Sequence, residues 1–289
     1  MIANIAKSAA KSLLPWQSSL RRLKRRFVPY EGDFGNSRTC ITDGLSQIRA
    51  LRSCGVALTG VVLEFGTGWL PLIPLLLHLA GARKLVLTDV ERLMDDTTVA
   101  AARRLVADRI DDVAEVLEQP RDQLLARLAT GYDPEYLVPW EAGGHETGSV
   151  DLIVSRAVFE HVPKHSLEQF MMQFHRVLKP GGAMCHLVDN SDHWQHIDRK
   201  LSRINFLRFG EGLLWRAAQL NPQSYQNRLR HSDYLRLFEA AGFTVALSSG
   251  EPDPKCLRDL EMLPLASAFR NKNPEDLAIL TSLFVLRRA

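Results

Sequence analysis

The sequence predicts an α/β fold with a mainly parallel sheet, and three observations predict it. Short apolar runs alternate with helical stretches along most of the chain. A glycine turn, Gly66-Thr67-Gly68, follows the first clear run, and an acid, Asp89, closes the next. Such an alternation implies parallel strands joined by right-handed crossovers.

Each element has its own signal. After Gly32, a helical stretch around Ile41 to Leu51 leads to Gly55 and Gly60. Val61-Val62-Leu63 reads as a buried strand, followed by a Gly/Pro turn and an apolar helix from about Leu70. A strand at Lys84 to Thr88 precedes a long polar helical region from about Val90 to Ala129, with Leu105, Ile110, Val113, Val116 and Leu117 on one face. A short strand near Tyr136 to Val138 leads into a loop holding Gly143, Gly144 and Gly148, and Asp151 to Ser155 is another buried strand. A helix from about Lys164 to Leu178 stops at Pro180-Gly181-Gly182, and Ala183 to Val188 is the next strand. Residues 190–231 are polar, aromatic and basic with little period, which suits a lid or substrate-binding insertion. Ser232 is expected to cap a helix reaching Ala241, with Gly242 as its stop, and Phe243 to Leu247 and Leu277 to Leu286 are the last strands.

The 289 residues are 46% hydrophobic and 24% charged, a balance that excludes disorder and collagen-like repeats. The charge is unevenly placed. Residues 1–30 carry +7 and no acid, so a total of +3 leaves −4 for the body, which argues against a protein that coats nucleic acid. In this arm Ile2, Ile5, Ala9 and Leu13 fall at helical spacing, as do Leu20, Leu23 and Phe27 beyond Pro15, with basic residues around them. Three readings stand: a solvated helix packed on the domain, peripheral contact with anionic lipid, or a cleaved mitochondrial-type presequence. Cys40, Cys54, Cys185 and Cys256 lie far apart with no Cys-x-x-Cys pair, which argues for reduced thiols in a cytoplasmic compartment. The longest apolar run, Trp69 to Ala80, has twelve residues and is too short to span a bilayer.

Glycines at 66 and 68 permit a tight turn and close approach of a ligand, and Pro71 suits the first turn of the next helix. A dinucleotide site would want a third small residue where Pro71 stands. Glu64, at the mouth of the turn, would repel the pyrophosphate of NAD and attract a cofactor carrying an ammonium and a sulfonium. Asp89, twenty-five residues on, can accept hydrogen bonds from both hydroxyls of a ribose.

The strings VVLEFGTGW (61–69), LVLTDVE (85–91), VDLIVSRAVFEHV (150–162) and RVLKPGG (176–182) resemble, in order, the motifs of class I S-adenosylmethionine-dependent methyltransferases, including methyltransferase type 11-like domains. More loosely, SDYLRLFEAAGFTV (232–245) resembles the penultimate helix and strand of that fold. The resemblance implies a Rossmann-like, seven-stranded, mainly parallel sheet with helices on both faces and an antiparallel last strand. It divides the chain into a basic arm (1–35) and a methyltransferase domain (36–289) with insertions at about 92–133 and 190–231. It implies S-adenosyl-L-methionine as cofactor, its methionine part near Glu64, Gly66, Thr67 and Gly68 and its ribose on Asp89. Trp140 or Glu141 would meet the adenine amino group, and Ser155 and Arg156 would line the methionine part and the methyl group. The sequence departs from the family at Trp69-Leu70, where a third glycine is common.

Methyl transfer to a hydroxyl needs alignment and removal of a proton, and histidine is the usual base near neutral pH. His161 is one candidate, although in the resembling family the Glu-His pair at this place often only shapes the pocket. The segment HLVDNSDHWQHID (186–198) supplies His193 and His196, either of which Asp189 or Asp192 could orient. Against this stands a helix N-terminus capped by Ser191 or Asp192, with histidines that are merely polar. His193, His196 and an aspartate offer metal-ligand types, but no tight motif supports a metal, and none is expected. Asn227, Arg228 and Arg230 could clamp an anionic group of the substrate, or form a solvated turn. The expected activity is O-methylation of a small molecule or of a glycan or lipid-linked acceptor. The alternatives are an NAD-dependent oxidoreductase or epimerase with a variant glycine turn, and a catalytically inactive cofactor-binding protein. Nucleic acid is disfavoured as substrate, since Ser155-Arg156-Ala157-Val158 stands where amino-methylating DNA enzymes carry an Asp/Asn-Pro-Pro-aromatic motif.

Overall fold

A computed structural model of the chain describes residues 34–141, 144–212, 215–216 and 225–289; the basic arm up to residue 33 lies outside them. In chain order the elements are α1 (Phe34–Ser53), β1 (Val61–Phe65), α2 (Leu72–Ala80), β2 (Lys84–Thr88), α3 (Asp96–Ala107), α4 (Ile110–Leu117), α5 (Arg121–Ala129) and β3 (Glu135–Leu137). There follow β4 (Val150–Arg156), α6 (Lys164–Val177), β5 (Leu178–Asp189), α7 (His231–Ala240), β6 (Phe243–Ser249), α8 (Pro254–Met262), α9 (Pro274–Ala278) and β7 (Thr281–Arg288). The strands form one seven-stranded sheet in the order β3-β2-β1-β4-β5-β7-β6. Pairings from β3 through β5 are parallel, and β7 runs antiparallel to both its neighbours, as the sequence implied.

Alternation along the strands sends side chains to two cores. Val62, Leu87, Leu152 and Val154 pack with α1 and α2 on one face; Leu63, Phe65, Ile153 and Met184 pack with α6 and α7 on the other. Seven of the nine residues of α2 are buried, so its nearly continuous apolar surface is covered on all sides. The close approach of α1 depends on Gly44, where a Cβ would stand 2.6 Å from the Cδ1 atoms of Ile73 and Leu76. Overpacking of this kind costs about 1–3 kcal/mol. Among the described residues no helix is long and apolar enough to cross a membrane, and all four cysteines are free.

Four expectations are corrected in detail. The single helical region at 90–129 is three helices: Asp95 accepts from the Thr98 N–H at 2.9 Å to start α3, Glu118 turns left-handed (φ 54°) to end α4, and Pro120 precedes α5. The expected apolar face survives, since Leu105, Ile110, Val113, Val116 and Leu117 are all buried. β5 begins at Leu178 rather than Ala183, because Pro180-Gly181-Gly182 is absorbed into the strand beside a register shift in β4. Ser232 does not cap α7: the helix starts at His231, Asp233 accepts from the Arg230 N–H, and Ser232 donates to Asp276. The expected strand at 277–286 is the end of α9 followed by β7.

Candidate active site

The C-terminal ends of β1, β2, β4 and β5 meet along one edge, and two polar groups gather there. The first is built on the glycine turn. Gly66 has φ +82°, and a Cβ on it would stand 2.6 Å from Val158, so both backbone and packing require glycine. The Gly66 and Thr67 N–H groups each donate to the Thr88 carbonyl at 3.0 Å, and the Gly68 N–H donates to Asp89 Oδ2 at 2.7 Å. The other Asp89 oxygen accepts from the Val90 N–H at 2.7 Å. The turn is thus tied to β2 in a set shape, with Asp89 beside it.

Glu64 faces α1 from this turn and is buried, and its Oε2 has no hydrogen-bond partner. Thr67 Oγ1, also buried, has none either. Burial pushes the Glu64 carboxyl up to about 8, with the neighbouring Thr67 hydroxyl working against the rise and the Asp89 charge adding to it. Buried polar atoms without partners are uncommon in folded proteins, and Glu64 Oε2 beside the glycine turn is one that a bound polar ligand would complete. Val90 is 85% exposed although apolar, a feature the sequence reading passed over. Trp140 donates its backbone N–H to the Asp89 carbonyl at 3.3 Å and packs its ring on Phe65, Phe170 and Phe174; its indole Nε1 is without a partner, and Glu141 is at the surface.

The two residues named at the end of β4 part company. Arg156 is on the Glu64 face and donates through Nε to Asp43 Oδ2 at 2.8 Å, with Nη2 also 2.8 Å from that oxygen. Ser155 faces the other way, as strand alternation requires. Its buried Oγ is hydrogen-bonded to His186 Nδ1 at 2.8 Å inside the aromatic core, so this hydroxyl does not line the cofactor cleft as expected. Asp43 and the nearby Cys40 come from α1, and nothing in the helical pattern there marked them.

The second group lies beyond Arg156. Ala157 is left-handed (φ 53°), and the chain then makes a 3-10 turn over Phe159–His161 that places Glu160 and His161 together. Glu160 is 3% exposed and neither carboxylate oxygen accepts a hydrogen bond of ordinary geometry; burial, then the Asp189 charge, pushes its pKa well above the usual carboxylate range, against the pull of the nearby Glu160 and Asp189 backbone N–H groups. His161 Nδ1 is 2.8 Å from the Tyr225 carbonyl, to which it donates, and burial followed by the charge of His193 lowers its pKa. His193 Nε2 lies 3.3 Å from Asp189 Oδ2, and the rings of His161 and His196 are 5.0 and 5.2 Å from that of His193. Against the effect of burial, hydrogen bonds from His193 and Ser191 hold Asp189 down to about 2, so it is ionised at neutral pH. Of the two aspartates left open by the sequence, Asp189 is therefore the one paired with a histidine. Asp192 turns inward, accepts from the Trp194 N–H at 2.8 Å, and is pushed up to about 6 by burial.

The anion clamp expected from Asn227, Arg228 and Arg230 is not what these residues form. Asn227 Nδ2 donates to the Phe159 and Val162 carbonyls at 2.7 and 2.9 Å and so braces the 3-10 turn. Arg228 is buried against the Trp215 ring, 3.8 Å from its centroid, and donates to Glu211 and to the Phe206 and Phe209 carbonyls. Arg230 is fully buried and donates to the carbonyls of Asn190, Leu277 and Ile279 at 2.7, 2.9 and 2.6 Å. The charge of the two arginines is spent on the Glu211 carboxylate and on backbone carbonyls at Asn190, Phe206, Phe209, Leu277 and Ile279.

A seven-stranded sheet of this order, with a glycine turn after β1 and an acid after β2, defines the class I S-adenosylmethionine-dependent methyltransferases. A family model described as a methyltransferase domain matches residues 20–248, and the chain belongs to that family. No curated protein matches the sequence. Similar solved structures include one described as a methyltransferase from Bacillus halodurans, 15% identical with a TM-score of 0.47, covering 84% of this chain and 98% of that one. An S-adenosylmethionine-dependent methyltransferase from Mesorhizobium loti is 14% identical with a TM-score of 0.46, over 83% of this chain and 96% of that one. A protein described as a sarcosine dimethylglycine methyltransferase from Galdieria sulphuraria is 14% identical with a TM-score of 0.48, over 86% of each chain.

Proposed function

We propose that the protein transfers the methyl group of S-adenosylmethionine to an oxygen of a small molecule or of a glycan or lipid-linked acceptor. The observation that carries the cofactor assignment is the buried Glu64 carboxylate, whose Oε2 has no hydrogen-bond partner and whose polar neighbour is the Thr67 hydroxyl, beside a turn whose backbone is already tied down. The cofactor supplies a methyl group on a sulfonium sulfur, an electrophile that needs alignment more than activation. Glu64 receives the cofactor's ammonium, Asp89 accepts from the ribose hydroxyls, and exposed Val90 covers an adenine face. A nicotinamide dinucleotide fits less well, because Glu64 would stand close to its pyrophosphate.

Oxygen is favoured as acceptor because His193 and His196 stack beside an ionised Asp189, 3.3 Å from His193. Asp189 orients one imidazole and stabilises the cation formed when this pair takes a hydroxyl proton. Calorimetric titration of the purified chain with S-adenosylmethionine, S-adenosylhomocysteine and NAD tests the reading. Binding of the two sulfur compounds but not NAD is expected; binding of NAD alone would overturn it. Transfer of labelled methyl to oxygen acceptors in a substrate panel separates an active enzyme from a protein that only binds the cofactor.

A further inference from the structure

We infer that Glu160, His161 and His193 form a binding site for one divalent transition-metal-type cation at the acceptor side of the cleft. Glu160 and His161 follow β4 and His193 follows β5, so their spacing in the chain gives no metal motif; the sheet brings them together. One ligand atom from each lies within 4.8 Å of the others, and Glu160 Oε1 is 4.0 Å from His161 Nε2. Ligands each about 2.1 Å from one ion sit roughly 3 Å apart, so the group needs to contract by about an ångström or more.

The independent observation is the Glu160 carboxylate. It is 3% exposed and neither oxygen accepts a hydrogen bond of ordinary geometry; the backbone N–H groups of Glu160 and Asp189 stand near enough to favour its ionisation, which burial and the Asp189 charge oppose. A dication supplies the missing partner for both oxygens at once. The histidines are prepared in the way metal-binding imidazoles usually are, each with an outer acceptor that orients the ring. His161 gives its Nδ1–H to the Tyr225 carbonyl at 2.8 Å, which leaves the Nε2 lone pair facing Glu160. His193 has Asp189 beside it. Asn227, bonded to two carbonyls of the 3-10 turn, holds Glu160 and His161 in register.

Two imidazoles and one carboxylate suit Zn²⁺, Fe²⁺, Co²⁺ or Mn²⁺ better than Ca²⁺ or Mg²⁺, which prefer oxygen alone. Such an ion has positions left for a ligand oxygen, and the site faces the cleft beyond Arg156. His196, stacked on His193, then remains as the histidine free to take a proton.

The test uses the full chain, stripped with a chelator and titrated with Co²⁺ and Mn²⁺. Bound metal is counted after equilibrium dialysis, and Co²⁺ is followed by its visible absorption. One ion per chain is expected, with a visible band that reports nitrogen ligation. Glu160→Gln and His193→Ala should each weaken binding at least tenfold, while His175→Ala, on α6 away from the group, leaves it unchanged. Glu160→Gln replaces a buried carboxyl by a neutral amide of the same shape, so its fold is expected to survive, and its thermal unfolding and S-adenosylmethionine binding are measured on the same sample. No bound ion in the wild type, or binding undiminished in Glu160→Gln, would overturn the inference. Cofactor binding is read separately, so a failure of the metal site is distinguishable from a failure of the methyltransferase reading.

Discussion

Glu160 and Arg230 are ionisable side chains sunk in the same half of the molecule, 3% and 0% exposed, and they are served very differently. Arg230 gives hydrogen bonds to three backbone carbonyls and leaves only its Nε without a partner, whereas neither Glu160 carboxylate oxygen accepts a hydrogen bond of ordinary geometry. A buried charge surrounded by acceptors holds structure together; one left bare costs stability and is retained for something that binds it. Glu64, next to the glycine turn, stands between the two cases: its Oε2 lacks a partner while the Thr67 hydroxyl is its polar neighbour. Burial alone therefore does not distinguish Glu160 from Arg230; the share of each that is hydrogen-bonded does.

The comparison is broken most forcefully at Arg230. Arg230→Ala leaves the Asn190, Leu277 and Ile279 carbonyls without their donor, and a stability loss of about 3–5 kcal/mol is expected in urea unfolding. The next effect is a pH dependence at Glu64. Its folded pKa, about 8, lies above the ordinary value of 4.5, so the folded state binds the extra proton between them. Stability without ligand should then be greatest below about pH 4.5 as far as this group is concerned and fall as pH rises towards 8, by on the order of 3 kcal/mol, and Glu64→Gln should remove that slope. Smaller still, Asp89→Ala should weaken S-adenosylmethionine by about 1–3 kcal/mol in calorimetry through loss of the charged ribose contact. The least change is expected for Glu160→Gln without metal, whose stability at pH 7 should stay within about 1 kcal/mol of wild type or rise, since a bare buried carboxyl is replaced by a neutral amide. A large loss there would make Glu160 structural after all.

Much of the fold and half of the site were legible in the sequence, for a physical reason. Val61–Phe65 and Lys84–Thr88 are built on the apolar runs Val61-Val62-Leu63 and Leu85-Val86-Leu87, and the site they build, Glu64 to Gly68 with Asp89, needs only the turn between strand and helix. The strand across Pro180-Gly181-Gly182 was hidden because those residues carry a stop signal, yet the chain pairs with β4 on both sides of them, at Leu178 and again from Ala183. Ser155 was misread because its neighbour Arg156 occupies the cleft face and alternation leaves Ser155 the opposite one. Arg228 and Arg230 looked like a clamp because sequence shows charge but not the carbonyls that consume it. Asp43 and the juxtaposition of Glu160 with His193 depend on contacts between elements far apart in the chain, and no local pattern announces them.

The central claim, that Glu64 is bare because a cationic cofactor completes it, is tested most directly by counting protons. At pH 6.5 the buried carboxyl is mostly protonated, and an ammonium placed beside it favours ionisation, so the proton must leave. Calorimetry of S-adenosylmethionine binding in buffers of different ionisation enthalpy should show most of a proton released per cofactor bound by the wild type and almost none by Glu64→Gln. Equal release by the two proteins, or none by the wild type, would contradict the account.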